Sequence, residues 1–181
     1  VFVASIIQIG DALSHEVTVT HEVFLPMIKF AALFTPLWMA WSGFTIFANR
    51  FDIDDFLHRT MVFLNMFAVG AMAISAKAAI QGEIAGFCLS YAVAQAIIAI
   101  LYLRSWRQVP EARPFSQFLG LTFSVGAVLW AVAAVLPNPW GLVLCGVSVF
   151  ATLLSFVHRH SRELMELFPI DMHHLSERYG L

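Results

Sequence analysis

The sequence predicts an all-α polytopic transmembrane bundle, and three observations carry that prediction. Of the 181 residues, 60% are hydrophobic and only 12% are charged, with a mean hydropathy of +0.79. Soluble domains run about 45–50% apolar and about 25% charged. A chain this small has too high a surface-to-volume ratio to hide the excess from water. Second, the apolar residues fall into runs near the length of about 20 residues that a helix needs to cross a hydrocarbon core. Third, the basic residues segregate into alternate breaks between those runs.

Taken in order, the stretch 1–13 is too short to span alone and reads as the outer end of a helix. Five fuller runs follow, at 24–48, 56–80, 84–103, 115–136 and 140–157, and residues 171–181 read as the entry to a seventh segment. Each break has a physical cause. Residues 49–55 concentrate charge that hydrocarbon penalises, and Gln81-Gly82-Glu83 is a polar turn with a helix-weakening glycine. Residues 104–114 carry three arginines and two prolines, and Pro137-Asn138-Pro139 is a tight turn. Pro36, inside the second run, predicts a kink. The expectation is about six crossings plus the start of a seventh. They form one transmembrane helical domain over 1–181, roughly the N-terminal half of a longer protein.

The basic residues orient the bundle. Arg50, Arg59, Arg104, Arg107, Arg113, Arg159 and Arg162 fall on one side, joined by Arg178, against Lys29 and Lys77 on the other. The positive-inside rule then puts loops 49–59, 104–114 and 158–170 in the cytoplasm. Tyr102 and Trp106 are expected at that interface, and Trp140 at the opposite one.

Two polar clusters stand out. The first is Asn49-Arg50-Phe51-Asp52-Ile53-Asp54-Asp55 with His58 and Arg59. Its plainest use is structural: Asp52 or Asp54 caps the next helix, and Asp55 pairs with Arg59 one turn on. Its functional use is an ion or an anionic headgroup held by Asp52, Asp54, Asp55, Arg50 and Arg59. An EF-hand fails, because Leu57 and Phe63 occupy the places of its glycine and glutamate. The second cluster runs from His158 to Glu163, then Asp171, His173, His174, Glu177 and Arg178. His174, Glu177 and Arg178 share one helix face. Ionisable residues entering an apolar segment are expensive and tend to be functional. The order is the reverse of the Glu-x-x-His di-iron pattern, and no metal set is complete.

Within the runs the polar residues are few: Gln8, Asp11, Asn65, Gln95 and Gln117. Asn65 and Gln95 are expected to bond across helix interfaces. Small residues four apart (Ala71, Ser75 and Ala79; Gly82 and Gly86; Gly120 and Ser124; Gly141 and Cys145) allow close helix approach. Cys88 and Cys145 read as buried small hydrophobes, with no disulfide suggested. No cofactor is predicted, and the seven histidines at loops and helix ends disfavour haem. A net charge of −2 disfavours a nucleic-acid partner. The expected partners are the lipid bilayer, a small solute or ion, and a helix-packing partner or larger membrane complex.

The stretch Trp41-Ser-Gly-Phe-Thr-Ile-Phe-Ala-Asn-Arg-Phe-Asp-Ile-Asp-Asp, followed by Arg59, resembles the bacterial low temperature requirement protein A family. His174-Leu-Ser-Glu-Arg-Tyr-Gly-Leu181 resembles a later motif of that family, and Val1-Phe-Val-Ala-Ser-Ile-Ile-Gln the tail of its first helix. The resemblance implies a bacterial inner-membrane location and a longer parent chain of around ten or more helices; it assigns no reaction. Together these readings predict a transporter or channel-like protein for a small solute or ion. In it Asp52, Asp54, Asp55, Arg59, Glu177 and Arg178 gather at the cytoplasmic edge. The alternative is an accessory subunit that packs against a larger membrane complex and binds lipid. An enzyme is disfavoured. A water-accessible cavity reaching Asn65 or Gln95 separates the first two readings.

Overall fold

Breaks in the apolar pattern become helix ends. The computed structural model describes residues 1–20, 23–51 and 55–157. Six α-helices lie among them: α1 Phe2–Thr20, α2 Phe24–Arg50, α3 Phe56–Ile80, α4 Ala85–Gln108, α5 Arg113–Val135 and α6 Trp140–Val157. A single 3-10 turn, Pro110–Ala112, joins α4 to α5. There is no strand among the described residues.

Local chemistry sets these ends. The cap of α3 falls on Asp55, not on Asp52 or Asp54: its Oδ1 accepts the His58 backbone N–H at 2.8 Å. At the other end of α3, Gly82 adopts φ +100°. Its N–H reaches the Ala79 carbonyl while the Glu83 N–H reaches that of Ala78, closing the helix as a left-handed glycine allows. Helix α4 stops at Val109, which is extended before Pro110. Pro114 then sits in the first turn of α5, where a missing N–H costs nothing. Helix α2 continues through Pro36.

Among the described residues, four helices are long and apolar enough to cross a membrane: Phe24–Arg50, Phe56–Ile80, Ala85–Gln108 and Pro110–Val135. The apolar parts of α1 and α6 are shorter, Phe2–Asp11 and Trp140–Ser155. Length and composition therefore account for four crossings where the sequence suggested six. The predicted entry to a seventh segment lies outside the described residues.

Helix α4 is the centre of the bundle. In its most apolar stretch 61% of residues are enclosed, against 28–39% in the other three spans. Phe87, Tyr91, Ala94, Gln95, Ile98, Leu101, Tyr102 and Ser105 recur every three or four positions and are all buried, as a helix contacted along its length requires. One apolar cluster joins α1, α2, α3 and α4 to Trp130 and Ala133 of α5. A second gathers Phe47, Phe51, Ile98, Tyr102, Phe115, Leu119 and Phe123 toward one end. Outside, Phe67, Ile74 and Phe150 are each more than 60% exposed, a placement natural in hydrocarbon and costly in water.

Candidate functional site at the charged end of the bundle

Four helix ends converge on one charged cap. Arg50 closes α2, and its guanidinium carbon lies 5.0 Å from the centroid of the Phe115 ring in the first turn of α5, within cation–π range. Asp55 opens α3, and both its oxygens meet Arg104, near the end of α4. Arg104 Nη1 donates to Oδ1 at 3.1 Å, and Nη2 donates to Oδ2. Such a fork fixes direction as well as distance. The Arg104 guanidinium, aided by the His58 N–H, pushes the Asp55 carboxyl down to about 2 from its usual 3.8. The carboxylate stays 42% exposed, so the pair is a rim contact between α3 and α4.

Beneath the cap lies an aromatic floor. Tyr102 is fully buried. It meets Phe47 edge-on at 5.2 Å and Phe51 at 6.2 Å, and stacks on Phe123 at 5.9 Å with 5° between the planes. Its hydroxyl donates to the Gly43 carbonyl at 3.4 Å. His58 stacks between Phe44 at 6.4 Å and Phe47 at 5.8 Å. Gly43 makes this packing possible, since a Cβ there would lie 2.6 Å from Phe123 Cζ. The floor separates the charge pair from the interior of the bundle.

Further in, polar atoms remain without partners. Asn65 Oδ1, Gln95 Oε1, Ser116 Oγ and Ser148 Oγ are buried with no hydrogen bond among the described residues. The interhelical bonds expected of Asn65 and Gln95 are not made by these oxygens; Gln95 instead interacts with Tyr91 one turn earlier on α4. A groove of about 350 Å³ opens between α5 and α6, lined by Thr122, Gly126, Ser148, Thr152 and Ser155 among apolar side chains. Neither Asn65 nor Gln95 lines it. On the other side of Gly126, a Cβ would collide with the Gln95 amide.

The family whose description is Bacterial low temperature requirement A protein (LtrA) matches residues 1–181. The chain belongs to that family. It is also similar, at 31% identity over 157 residues, to a Limosilactobacillus fermentum (strain NBRC 3956 / LMG 18251) protein named phospho-N-acetylmuramoyl-pentapeptide-transferase. That alignment covers 83% of this chain but 45% of the relative, so the chain spans under half of that protein's length. No solved structure matches the chain.

In this LtrA-family chain the stretch from Trp41 to Asp55 supplies most of the charged end: Gly43, Phe44, Phe47, Arg50, Phe51 and Asp55 all contribute. Two expectations are corrected. Asp55 forks with Arg104 on another helix, while Arg59 meets it through the backbone, N–H to the Asp55 carbonyl at 3.1 Å. Tyr102, expected to face the interface, is instead fully enclosed in the aromatic floor. Asp52, Asp54, His174, Glu177 and Arg178 lie outside the described residues, so their expected approach to Asp55 is not placed. Sequence reasoning placed His58 in the cluster but missed Arg104 and Tyr102 as members of it. The available signal was that Arg104 ends its helix on the same side on which Asp55 begins one.

Proposed function

We propose that this chain is part of a bacterial inner-membrane transport protein, transporter or channel-like, for a small solute or ion, with the charged end facing the cytoplasm. The observation that carries this reading is the set of buried, unpartnered oxygens on Asn65, Gln95, Ser116 and Ser148. In a bilayer each unsatisfied polar group costs several kcal/mol, because no water is there to bond it. A purely structural bundle would replace such groups with apolar ones at no loss. Polar groups kept at that cost serve something that passes or binds among the helices. The Asp55–Arg104 fork then acts as a latch where α3 and α4 meet. A partly exposed ion pair contributes little net stability, so it opens and recloses readily. The candidate residues Asp52, Asp54, Arg50, Arg59, His174, Glu177 and Arg178 complete the ion- or solute-binding rim in this reading.

The test is flux in vesicles reconstituted with the full chain. Sodium, potassium, proton and chloride movement is followed with indicator dyes, and urea and glycerol entry by light scattering. At least one species should cross faster than in protein-free vesicles. Asn65→Leu and Gln95→Leu should return that flux to background, while Ile74→Ala, at an exposed position away from the groove, should leave it unchanged. Flux equal to empty vesicles for every species would overturn the reading.

That outcome would favour the second one, an accessory subunit that packs against a larger membrane complex and binds lipid. Its supporting observation is the α5–α6 groove, which opens sideways beside exposed Leu121 and Val125 and is not lined by Asn65 or Gln95. Lipid retained by the purified chain in native mass spectrometry would then support it.

A further inference from the structure

The chain has two cysteines, 57 positions apart on different helices, and the fold brings their sulfurs together. Cys88 Sγ and Cys145 Sγ lie 3.4 Å apart. Both are free thiols, Cys88 buried and Cys145 half-buried. Cys88 is the fourth residue of α4 and Cys145 the sixth of α6. At 1.5 Å per residue they sit about 4.5 and 7.5 Å inside their helices. This is the end opposite the Arg104 cap, where the turns at Gly82 and Asn138 are joined by an Asn138 Nδ2 bond to the Gly82 carbonyl at 2.8 Å. The spacing of Cys145 from Gly141 suggested only a small-residue contact. The structure adds a facing thiol.

We infer that Cys88 and Cys145 are a redox-active dithiol that closes to an α4–α6 disulfide, with a lipid-soluble quinone as its oxidant. The geometry asks for little. A disulfide has its sulfurs about 2.05 Å apart, so the pair must close by about 1.3 Å, within the reach of a half-buried Cys145 side chain turning toward Cys88. In the step the two S–H bonds break and one S–S bond forms. The two protons and two electrons released reduce the quinone to its quinol. An oxidant from the bilayer fits the site, because Cys88 is buried and Cys145 half-buried among apolar helices. A charged aqueous disulfide enters there only at a high desolvation cost, and an apolar quinone does not bear that cost. The consequence is mechanical. The main packing partner of α6 is α5, and the disulfide would fix α6 to α4 as well. Ser148, which lines the α5–α6 groove, is three residues beyond Cys145, so the bond would set the position of one groove wall.

The experiment uses the full chain in lipid nanodiscs, reduced and then exposed to a short-chain benzoquinone. The protein is denatured in acid and its remaining thiols are tagged with a polyethylene-glycol maleimide that shifts gel mobility. Reduced protein should carry two tags, quinone-treated protein none, and dithiothreitol in denaturant should restore both. Mass spectrometry should find a monomer lighter by two hydrogens, with the Cys88 and Cys145 peptides cross-linked. Cys88→Ser and Cys145→Ser should each keep one tag after quinone. Oxidised glutathione at equal concentration should act at least about tenfold more slowly; an equal rate would overturn the quinone assignment. Retention of both tags, thioether adducts of the quinone, or dimers in place of the internal cross-link would overturn the dithiol itself.

Discussion

At Asp55 one carboxylate serves two helices. Its Oδ1 accepts both the His58 N–H that caps α3 and the Arg104 Nη1 from α4. Sequence spacing makes Asp55 and Arg59 natural partners, because residues four apart on a helix are neighbours. It says nothing about Arg104, 49 positions away, so the residue was legible as a site and its partner was not. The titration sign follows from the partner. Arg104 and His58 hold the folded carboxyl down to about 2 against an ordinary 3.8. A depressed folded value means the ionised pair stabilises the fold fully above about pH 4, and that contribution fades as pH falls toward about 2. Asp55→Asn keeps an oxygen that caps the helix but has no charge to titrate. At neutral pH its Tm in detergent should lie below that of the parent. Between about pH 4 and 2 the parent's Tm should fall more steeply, narrowing the gap. Parallel Tm-against-pH curves for the two proteins would refute the assignment of Arg104 as the group that matters.

Among the elements, boundaries were legible wherever a charge, proline or glycine made continuation expensive. The run expected at 56–80 is helix Phe56–Ile80. The run expected at 84–103 extends to Gln108, because Arg104 finds a carboxylate at the rim where hydropathy alone would end the segment. The small-residue ladders were partly legible. Gly86 does allow close approach, with its absent Cβ 3.0 Å from Ser75 Oγ, whereas Gly82 works as a turn residue at positive φ. Gly120 and Gly141 also sit at close approaches, where a Cβ would lie 2.9 Å from Leu103 Cδ2 and from the Ala133 carbonyl oxygen respectively. The two tightest, at Gly43 and Gly126, belonged to no ladder, since their need comes from the groups opposite. These two sites separate by what they face. Gly43→Ala drives a methyl to 2.6 Å from the Phe123 ring, which Tyr102 stacks against and which has nowhere to go. Overpacking of this kind costs about 1–3 kcal/mol. Gly126→Ala meets the far end of the flexible Gln95 side chain, which can swing aside. Gly43→Ala should therefore lower the temperature of aggregation in detergent, read by size-exclusion after heating, more than Gly126→Ala does. The opposite order would mean that the Tyr102–Phe123 floor is not the rigid part of the bundle.

For the whole molecule, the up-and-down path of the chain places Arg50, Asp55, Arg104 and Phe115 at one end, and the turns at Gly82 and Asn138 at the other. That path was readable from alternating charge before any contact was known. The number of crossings was less so. The stretch 1–13 is visibly too short to span alone, but 140–157, the shortest of the five fuller runs, reads as a crossing although its apolar part is Trp140–Ser155. The proposed orientation is best tested on helix α4. Its 24 residues extend about 36 Å at 1.5 Å per residue, more than the hydrocarbon thickness of about 30 Å, so Glu83 before it and Gln108 at its end belong on opposite faces. Arginines crowd the Gln108 end, and the positive-inside rule is the ground for the proposal that this end faces the cytoplasm. In a background carrying Cys88→Ser and Cys145→Ser, Glu83→Cys should react with a membrane-impermeant maleimide in intact cells, and Gln108→Cys only after permeabilisation. Reactivity of Gln108→Cys alone from outside would invert the bundle. Reactivity of both would show that α4 does not span the membrane, and the latch at Asp55 and Arg104 would then lose its place at the membrane edge.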